Sequence, residues 1–343
     1  MKNYKVSLKE TYGIEGGELE CILLDLPFDR ETPEWKRPAV IVVPGGGYHM
    51  VSKREGEPIA SAFLARGFQA FVLTYTTAPE GAAYPDQLIQ LAAAVDYVKK
   101  HAAECFVNPE EVFVVGFSAG GHLAACAATM AKHRPAAAIL AYPVILEGLA
   151  AICAKGAPGA DKAVDSQTCP CFIAATGTDT MVSAMNSLRF VEALYENGIS
   201  AELHLYAFGP HGFSTARTSI ADPAELCSRT LHWVEDTISW LEDVFGAFTS
   251  GEMSSPRCPG RVRKDKDPYL SVDCLLATIA ENQIAVERLN QLILVEETTQ
   301  KWIAEQKENL LTSEMTLRSA LQFLNVPGEV IRKADEILSE IPN

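Results

Sequence analysis

The strongest constraint on this chain is an alternation. Short runs rich in Val, Ile and Ala recur from about residue 18 to 247, and segments of helical spacing separate most of them. Ala39-Val-Ile-Val-Val43 shows the pattern best. Its unbroken β-branched run reads as a strand buried on both faces. Leu19–Leu24, Phe68–Tyr75, Val112–Val115, Ala137–Tyr142, Cys171–Ala175 and Ala201–Tyr206 read as further strands. Glu57–Ala65, Pro85–His101, Ala119–Ala131, Met185–Asn197 and Ala224–Phe245 read as helices. The first of these has Pro58 in its opening turn and Gly67 just past its end, the usual start and stop residues. Strands alternating with helices predict an α/β fold, with a mostly parallel sheet covered by helices on both sides.

The texture changes near Ser250. SGEMSSPRCPGRVRKDKDP, residues 250–268, is rich in Ser, Pro, Gly and charge and reads as a linker. The expected organisation is therefore a domain over residues 1–249, the linker, and a C-terminal helical extension over 269–343. In that extension Val272, Leu275, Ile279, Asn282, Val286, Leu289 and Ile293 recur at spacings of three and four. They form a heptad seam of about three repeats, with one polar position at Asn282. Thr316–Leu324 and Pro327–Ile341 read as two more helical pieces. The seam admits three readings: a helix packed on the main domain, a homo-oligomer contact, or a surface for another protein. From Ser271 to Asn343 there are 12 Asp and Glu against 6 Lys and Arg, a net of −6, so the extension is not expected to bind DNA.

Composition removes whole classes of function. The net charge is −15 over 343 residues, which argues against a nucleic-acid partner, because such proteins neutralise phosphates with a basic face. No apolar run reaches the ~18 residues of a membrane span, so no membrane partner is expected. MKNYKVSLKE has no apolar core of a secretory signal. Nine scattered cysteines suit reduced thiols, and the expected compartment is cytoplasmic. Cys169-Pro-Cys171 lacks a second Cys/His pair and reads as two buried thiols at a strand start, not as a metal or redox site.

One strand ends in chemistry. Val112–Val115 runs into Gly116-Phe117-Ser118-Ala119-Gly120, and a helix-forming run follows. That is the strand–turn–helix setting a G-x-S-x-G nucleophile elbow demands. The N–H of Ala119, at the helix start, would face a developing oxyanion. Gly45-Gly46-Gly47 follows the strand Ala39–Val43, and the N–H groups of Gly46 and Gly47 are expected to complete the oxyanion hole. A serine needs a base. Of seven histidines, His101, His133, His204 and His232 lie within or at the ends of regular elements, and His122 follows the elbow. His49 follows the Gly45–Gly47 turn, and His211 sits in Phe208-Gly-Pro-His-Gly-Phe213, a loop after the strand Ala201–Tyr206, where α/β sheets build their sites; His211 is the expected base. The acid should fall between serine and histidine in the chain. Asp179 follows the strand Cys171–Ala175, whereas its rivals Asp161 and Asp165 precede it.

These residues together resemble the α/β-hydrolase superfamily, and more closely its acetyl-xylan-esterase-like and xylanase-associated carbohydrate esterases. The resemblance runs over about residues 18–247. It rests on Pro44-GGGY-48, Glu57-PIA-60, Tyr84-Pro85, Gly116-FSAGGHLA-124, Ala141-Tyr-Pro-Val144, Asn186-Ser-Leu188 and Glu202-LHLYAFGPHGF-213. It implies an α/β-hydrolase fold, a Ser118–His211–Asp179 triad and hydrolysis of acetyl esters of sugars or xylo-oligosaccharides, with no metal or cofactor. Tyr48, His49 and Tyr84 are candidates for the pocket wall, Tyr48 being equally a packing residue. Two positions depart from the pattern. Pro44 stands where many lipase-like relatives have histidine, and TMVSAMNS lacks a proline the branch often has after the valine. The tail beyond Pro268 has no counterpart. A peptidase of the prolyl-oligopeptidase type and a non-catalytic scaffold built on a hydrolase fold are the competing readings.

Overall fold

The computed structural model of this protein describes residues 1–25, 36–220, 222–246, 248, 255–292, 301 and 303–343. It divides into two compact units: Met1–Leu194 with Ser200–Gly260, and Tyr195–Ile199 with Arg261–Asn343. The second unit takes in Arg261–Pro268 of the stretch whose composition reads as linker. Residues 250–254 of that stretch lie outside the described residues.

The first unit is built on eight strands: β1 Lys2–Ser7, β2 Glu18–Leu23, β3 Arg37–Val43, β4 Gln69–Thr74, β5 Val107–Phe117, β6 Ala138–Ala141, β7 Cys171–Thr176 and β8 Ala201–Tyr206. Their order across the sheet is β1-β2-β4-β3-β5-β6-β7-β8. β1 and β2 are antiparallel to their neighbours, and β4, β3, β5, β6, β7 and β8 run parallel. The helices α1 Leu8–Tyr12, α2 Glu57–Leu64, α3 Asp86–Lys100, α4 Ala119–Met130, α5 Glu147–Cys153, α6 Met185–Glu196 and α7 Trp233–Phe245 accompany them. Pro38–Val43 of β3 is buried at every position, as a strand covered on both faces must be.

The register aligns the strand ends. Val43 pairs with Gly116, Phe117 with Ala141, Ala141 with Ala174, and Thr176 with Tyr206. The loops that follow β3, β5, β6, β7 and β8 therefore leave the same edge of the sheet, where parallel sheets place their ligands. Beneath them Phe113, Phe117, Phe172 and Trp233 pack in one apolar cluster.

Four elements of this unit differ from the sequence reading, among them α1, which precedes the first expected strand. β1 adds a strand ahead of the expected first one. Its residues are largely exposed, and it is held at the sheet edge by polar pairs, Lys5 with Glu18 at 2.6 Å and Asn3 with Glu20 at 3.0 Å. The helix expected over Ala224–Phe245 starts only at Trp233; Ser228–His232 is a 3₁₀ turn. The Cys227 N–H donates to Phe208 O, at 3.3 Å, so no α-helical ladder can run through Cys227. Helix α5 lies between β6 and β7, in a stretch for which the sequence reading names no helix. Cys169 and Cys171 are buried free thiols at the start of β7.

In the second unit the apolar repeat does not form one continuous seam. Helix α8, Leu276–Glu281, ends at Asn282, and α9, Gln283–Leu292, begins. Asn282 is extended, with φ −94° and ψ 102°. Its Oδ1 accepts from the Ala285 N–H at 3.1 Å, so the polar position is a helix cap rather than a heptad position. Val272, Ile279 and Leu289 are used inside the unit, packed with Leu317, Ile331 and Leu338. Ile293 lies outside the described residues. The two later helical pieces are found as Leu317–Phe323 and Gly328–Leu338. Among the described residues no helix is long and apolar enough to cross a membrane.

Candidate active site

Ser118 stands alone between β5 and α4, with φ 52° and ψ −118°. A residue other than glycine at positive φ is uncommon and strained. The strain is held by three bonds. The Ser118 N–H donates to Ala141 O at 3.1 Å, and its carbonyl accepts from the His122 and Val144 N–H groups at 3.0 Å each. Gly120 shows why the turn needs glycine. A Cβ there would lie 2.2 Å from Val43 O and 2.3 Å from Pro44 O, so α4 could not approach the end of β3. The close approach brings the glycine loop to the serine: a Cβ on Gly45 would lie 2.9 Å from Ser118 Cβ.

Ser118, His211 and Asp179 form one hydrogen-bonded series. His211 Nε2 is 2.9 Å from Ser118 Oγ, and His211 Nδ1 is 2.7 Å from Asp179 Oδ2. With Nδ1 protonated and donating to the carboxylate, Nε2 is left to accept from the hydroxyl. Asp179 Oδ1 accepts from the Met181 and Val182 N–H groups at 2.8 and 2.9 Å. Burial alone would push the Asp179 carboxyl up, but the His211 bond and these two backbone donors hold it below its usual range. It is thus a fixed anion behind the imidazole. The acid and histidine loops are tied to each other: Thr176 Oγ1 donates to Gly209 O at 2.8 Å, and Thr178 Oγ1 accepts from the Gly209 N–H at 3.0 Å.

The glycine loop is anchored by a carboxylate that the sequence does not advertise. Glu55 is 3% exposed. Its Oε2 accepts from the Gly45 N–H, and its Oε1 from the Tyr142 hydroxyl, both at 2.8 Å. The Tyr142 oxygen in turn accepts from the Ser214 N–H at 3.1 Å. The Tyr142 ring stands edge-on to the His211 ring, with centroids 5.0 Å apart. One buried side chain therefore links the glycine loop to the loop that carries the histidine. Burial and the neighbouring Glu55 carboxylate push the Tyr142 phenol well up, so it stays a donor. Within Lys53-Arg-Glu-Gly-Glu57 nothing marks Glu55 as buried; a charge run reads as a solvated turn.

A cleft of about 790 Å³ opens over this group, within the usual range for ligand sites. Its lining includes Ser118, His211, Gly46 and Gly47. One part of the lining is apolar, from Val144, Leu149, Met181 and Val182, and another is charged, from Lys53, Arg54 and Glu55. The structure does not place Tyr48, His49 or Tyr84 in that lining. Gly46, at φ 126°, turns the chain so that Tyr48, itself at φ 62°, points inward. Tyr48 is wholly buried, with its hydroxyl 2.7 Å from His122 Nδ1. His49 is exposed. Tyr84 packs against the small cluster of Val144, Ala150, Ala157 and Val182, one shell behind the cleft.

The rival acids lie elsewhere. Asp165 is paired with Arg134 at 2.5 Å, which holds its carboxyl down at about 2, and Asp161 sits in a 3₁₀ turn. His122 bonds locally, to Tyr48 and to Pro158 O at 2.8 Å, and burial lowers its pKa. Among the described residues no cluster of three or more His, Cys, Asp or Glu is placed to hold a metal ion.

A family model described as BD-FAE matches residues 24–144. Endo-1,4-beta-xylanase B of Butyrivibrio fibrisolvens is 32% identical over 213 residues, which are 53% of this chain and 33% of the xylanase. An acetylxylan esterase of Xylanibacter ruminicola is 28% identical over 218 residues, 57% of this chain and 43% of that protein. This chain thus spans less than half the length of either curated relative. The crystal structure of MGS-M1, an α/β hydrolase enzyme from a Medee basin deep-sea metagenome library, superposes with a TM-score of 0.62 at 34% identity. The match covers 71% of this chain and 97% of MGS-M1.

Proposed function

This chain belongs to the α/β-hydrolase family, and we propose that within it the protein is a serine esterase removing acetyl or other short acyl groups from sugars or xylo-oligosaccharides. The observation that carries the reading is the unbroken Ser118–His211–Asp179 series opening into a cleft beside the glycine loop. The relative named acetylxylan esterase supports the choice of acetylated carbohydrate.

The cycle is acyl transfer. His211 Nε2 takes the hydroxyl proton as Ser118 Oγ bonds to the ester carbonyl carbon, and the carbonyl oxygen becomes an oxyanion. Asp179 stabilises the imidazolium without taking its proton. The oxyanion lies against the N–H groups of Gly46, Gly47 and Ala119. Loss of one such donor costs about 2.7–4 kcal/mol of barrier. Collapse breaks the bond to the sugar oxygen, which leaves with the proton from His211. Water then gives a proton to His211 and bonds to the acyl carbon; the bond to Ser118 Oγ breaks, that oxygen takes the proton back from His211, and acetate leaves.

The test is acetate release from acetylated xylo-oligosaccharides, with p-nitrophenyl acetate and butyrate alongside, for the wild type and Ser118→Ala. The reading expects release by the wild type and a loss of at least about 10³-fold in the variant. Cleavage of the aryl esters alone would keep the esterase and remove the sugar. No cleavage by the wild type would leave the non-catalytic scaffold, and cleavage of a peptide bond instead would favour the peptidase.

A further inference from the structure

We infer that the cleft takes esters whose leaving alcohol carries a carboxylate, such as an acidic sugar residue, and that Arg54 is the group that receives it. The inference rests on the esterase reading above and names its substrate class.

Arg54 and Lys53 line the same cleft as Ser118 and His211, and both residues are exposed. The Arg54 side chain keeps 50% of its surface open. Its only ion pair among the described residues is with Glu55, at 3.9 Å through Nε, the outer limit of such a contact. Glu55 is already committed, since its two oxygens accept from the Gly45 N–H and the Tyr142 hydroxyl. The far end of the guanidinium is thus left for a ligand. Its position is set by Gly212: a Cβ there would lie 2.1 Å from Arg54 Nη2. The guanidinium therefore rests against the residue that follows His211.

That position selects the alcohol rather than the acyl group. The leaving oxygen is protonated by His211 Nε2, so the alcohol must lie on the His211 side of the reacting carbon. The acyl oxygen lies towards Gly46 and Gly47. A carboxylate on the alcohol meets a planar fork of N–H donors, the geometry arginine offers and lysine does not. Charge gives a second reason. The chain carries a net charge of −15 and repels an anionic ester at long range. Lys53 and Arg54 outnumber the single Glu55 carboxylate in the lining and oppose that repulsion where the ester binds, while the Asp179 charge is spent on His211.

The experiment compares 3-acetoxybenzoate with 3-acetoxybenzamide, which share an acetyl group and differ in the charge of the leaving phenol. kcat/KM is measured for both on the full chain, in the wild type, Arg54→Gln and Arg54→Lys. A preference for the carboxylate of about tenfold to a hundredfold is expected in the wild type, the worth of a charge-assisted hydrogen bond. It should fall to near one in Arg54→Gln and be partly restored in Arg54→Lys. Salt should shrink it in the wild type. Equal rates on the two esters in the wild type, or a preference that survives in Arg54→Gln, overturns the inference and leaves the esterase standing. Failure of the wild type to cleave either ester overturns the esterase reading, and the inference falls with it.

Discussion

In the first unit the buried carboxylates Glu55 and Asp179 serve one cleft, whereas in the second unit partly buried aspartates fasten chain segments to one another. Glu55 joins the Gly45 and Tyr142 loops, and Asp179 fixes His211. Asn186 Oδ1 accepts from the Ile145 and Leu146 N–H groups at 2.9 Å, pinning the chain after β6. In the second unit Asp335 accepts from the Val272 N–H at 3.0 Å, Asp265 from the Leu275 N–H at 2.6 Å, and Asp273 pairs with Arg318 at 2.6 Å. The same residue types thus serve reaction geometry in one unit and chain closure in the other. The contrast teaches where damage should register: as lost turnover in the first unit, and as lost stability in the second.

The largest effect that can break this contrast is in the second unit. Leu338 is wholly buried in its apolar cluster, and Leu338→Ala should cost about 2–5 kcal/mol through the cavity it leaves. Native-state hydrogen exchange reads the two units separately. Protection should fall over Gly328–Leu338 and hold over β3, β5 and β7. Equal losses in both units would show one cooperative body and end the comparison.

Glu55→Gln sharpens the contrast from the other side. The amide can still accept from Gly45 through its oxygen, but its NH₂ meets the Tyr142 hydroxyl as a donor. That hydroxyl already accepts from Ser214, and its own proton loses its acceptor. The glycine loop then drifts by enough to weaken an oxyanion donor, and kcat should fall about a hundredfold with KM little changed. Tyr142→Phe, which removes the same link, should be far from additive with it. Proportional losses of kcat and thermal stability, or additive effects, would make Glu55 a packing residue only.

How much of this was legible follows the same division. The α/β-hydrolase fold could be read because a strand buried on both faces needs an unbroken apolar run, as in Val40–Val43, and because turns punctuate such runs. Ser118, Asp179 and His211 could be singled out because each follows a strand, where the chain has to leave the sheet at its working edge. Glu55 could not, since burial of one carboxylate in a charge run is decided by partners 10 and 87 residues away. Tyr48 was open to both readings, because the φ values of Gly46, Gly47 and Tyr48 decide which way the ring turns, and periodicity does not report φ. Asn282 fits a heptad seam by spacing, but its side chain caps the start of α9, and that local bond to the Ala285 N–H won. β1 escaped notice because an edge strand needs little apolar surface.

The smallest effect asks whether the contrast belongs to the units or to distance from the cleft. His204 lies in the first unit, on β8, bonded to Glu202 at 2.9 Å and facing Asp236 at 3.3 Å. Glu202 raises its pKa above the usual histidine value; burial opposes this and Asp236 adds to it. The charged form is therefore favoured on folding. Its contribution is complete below the unfolded value of about 6.5 and is lost as pH rises through the higher folded value. Such a partly exposed pair is worth about 0.5 kcal/mol. Urea unfolding of the wild type and His204→Gln should differ by that much at pH 6 and converge by pH 9, with kcat/KM the same in both. If His204→Gln instead lost turnover at pH 6 with no change in unfolding, then polar pairs remote from the cleft also serve it, and the first unit would act on its site as a whole.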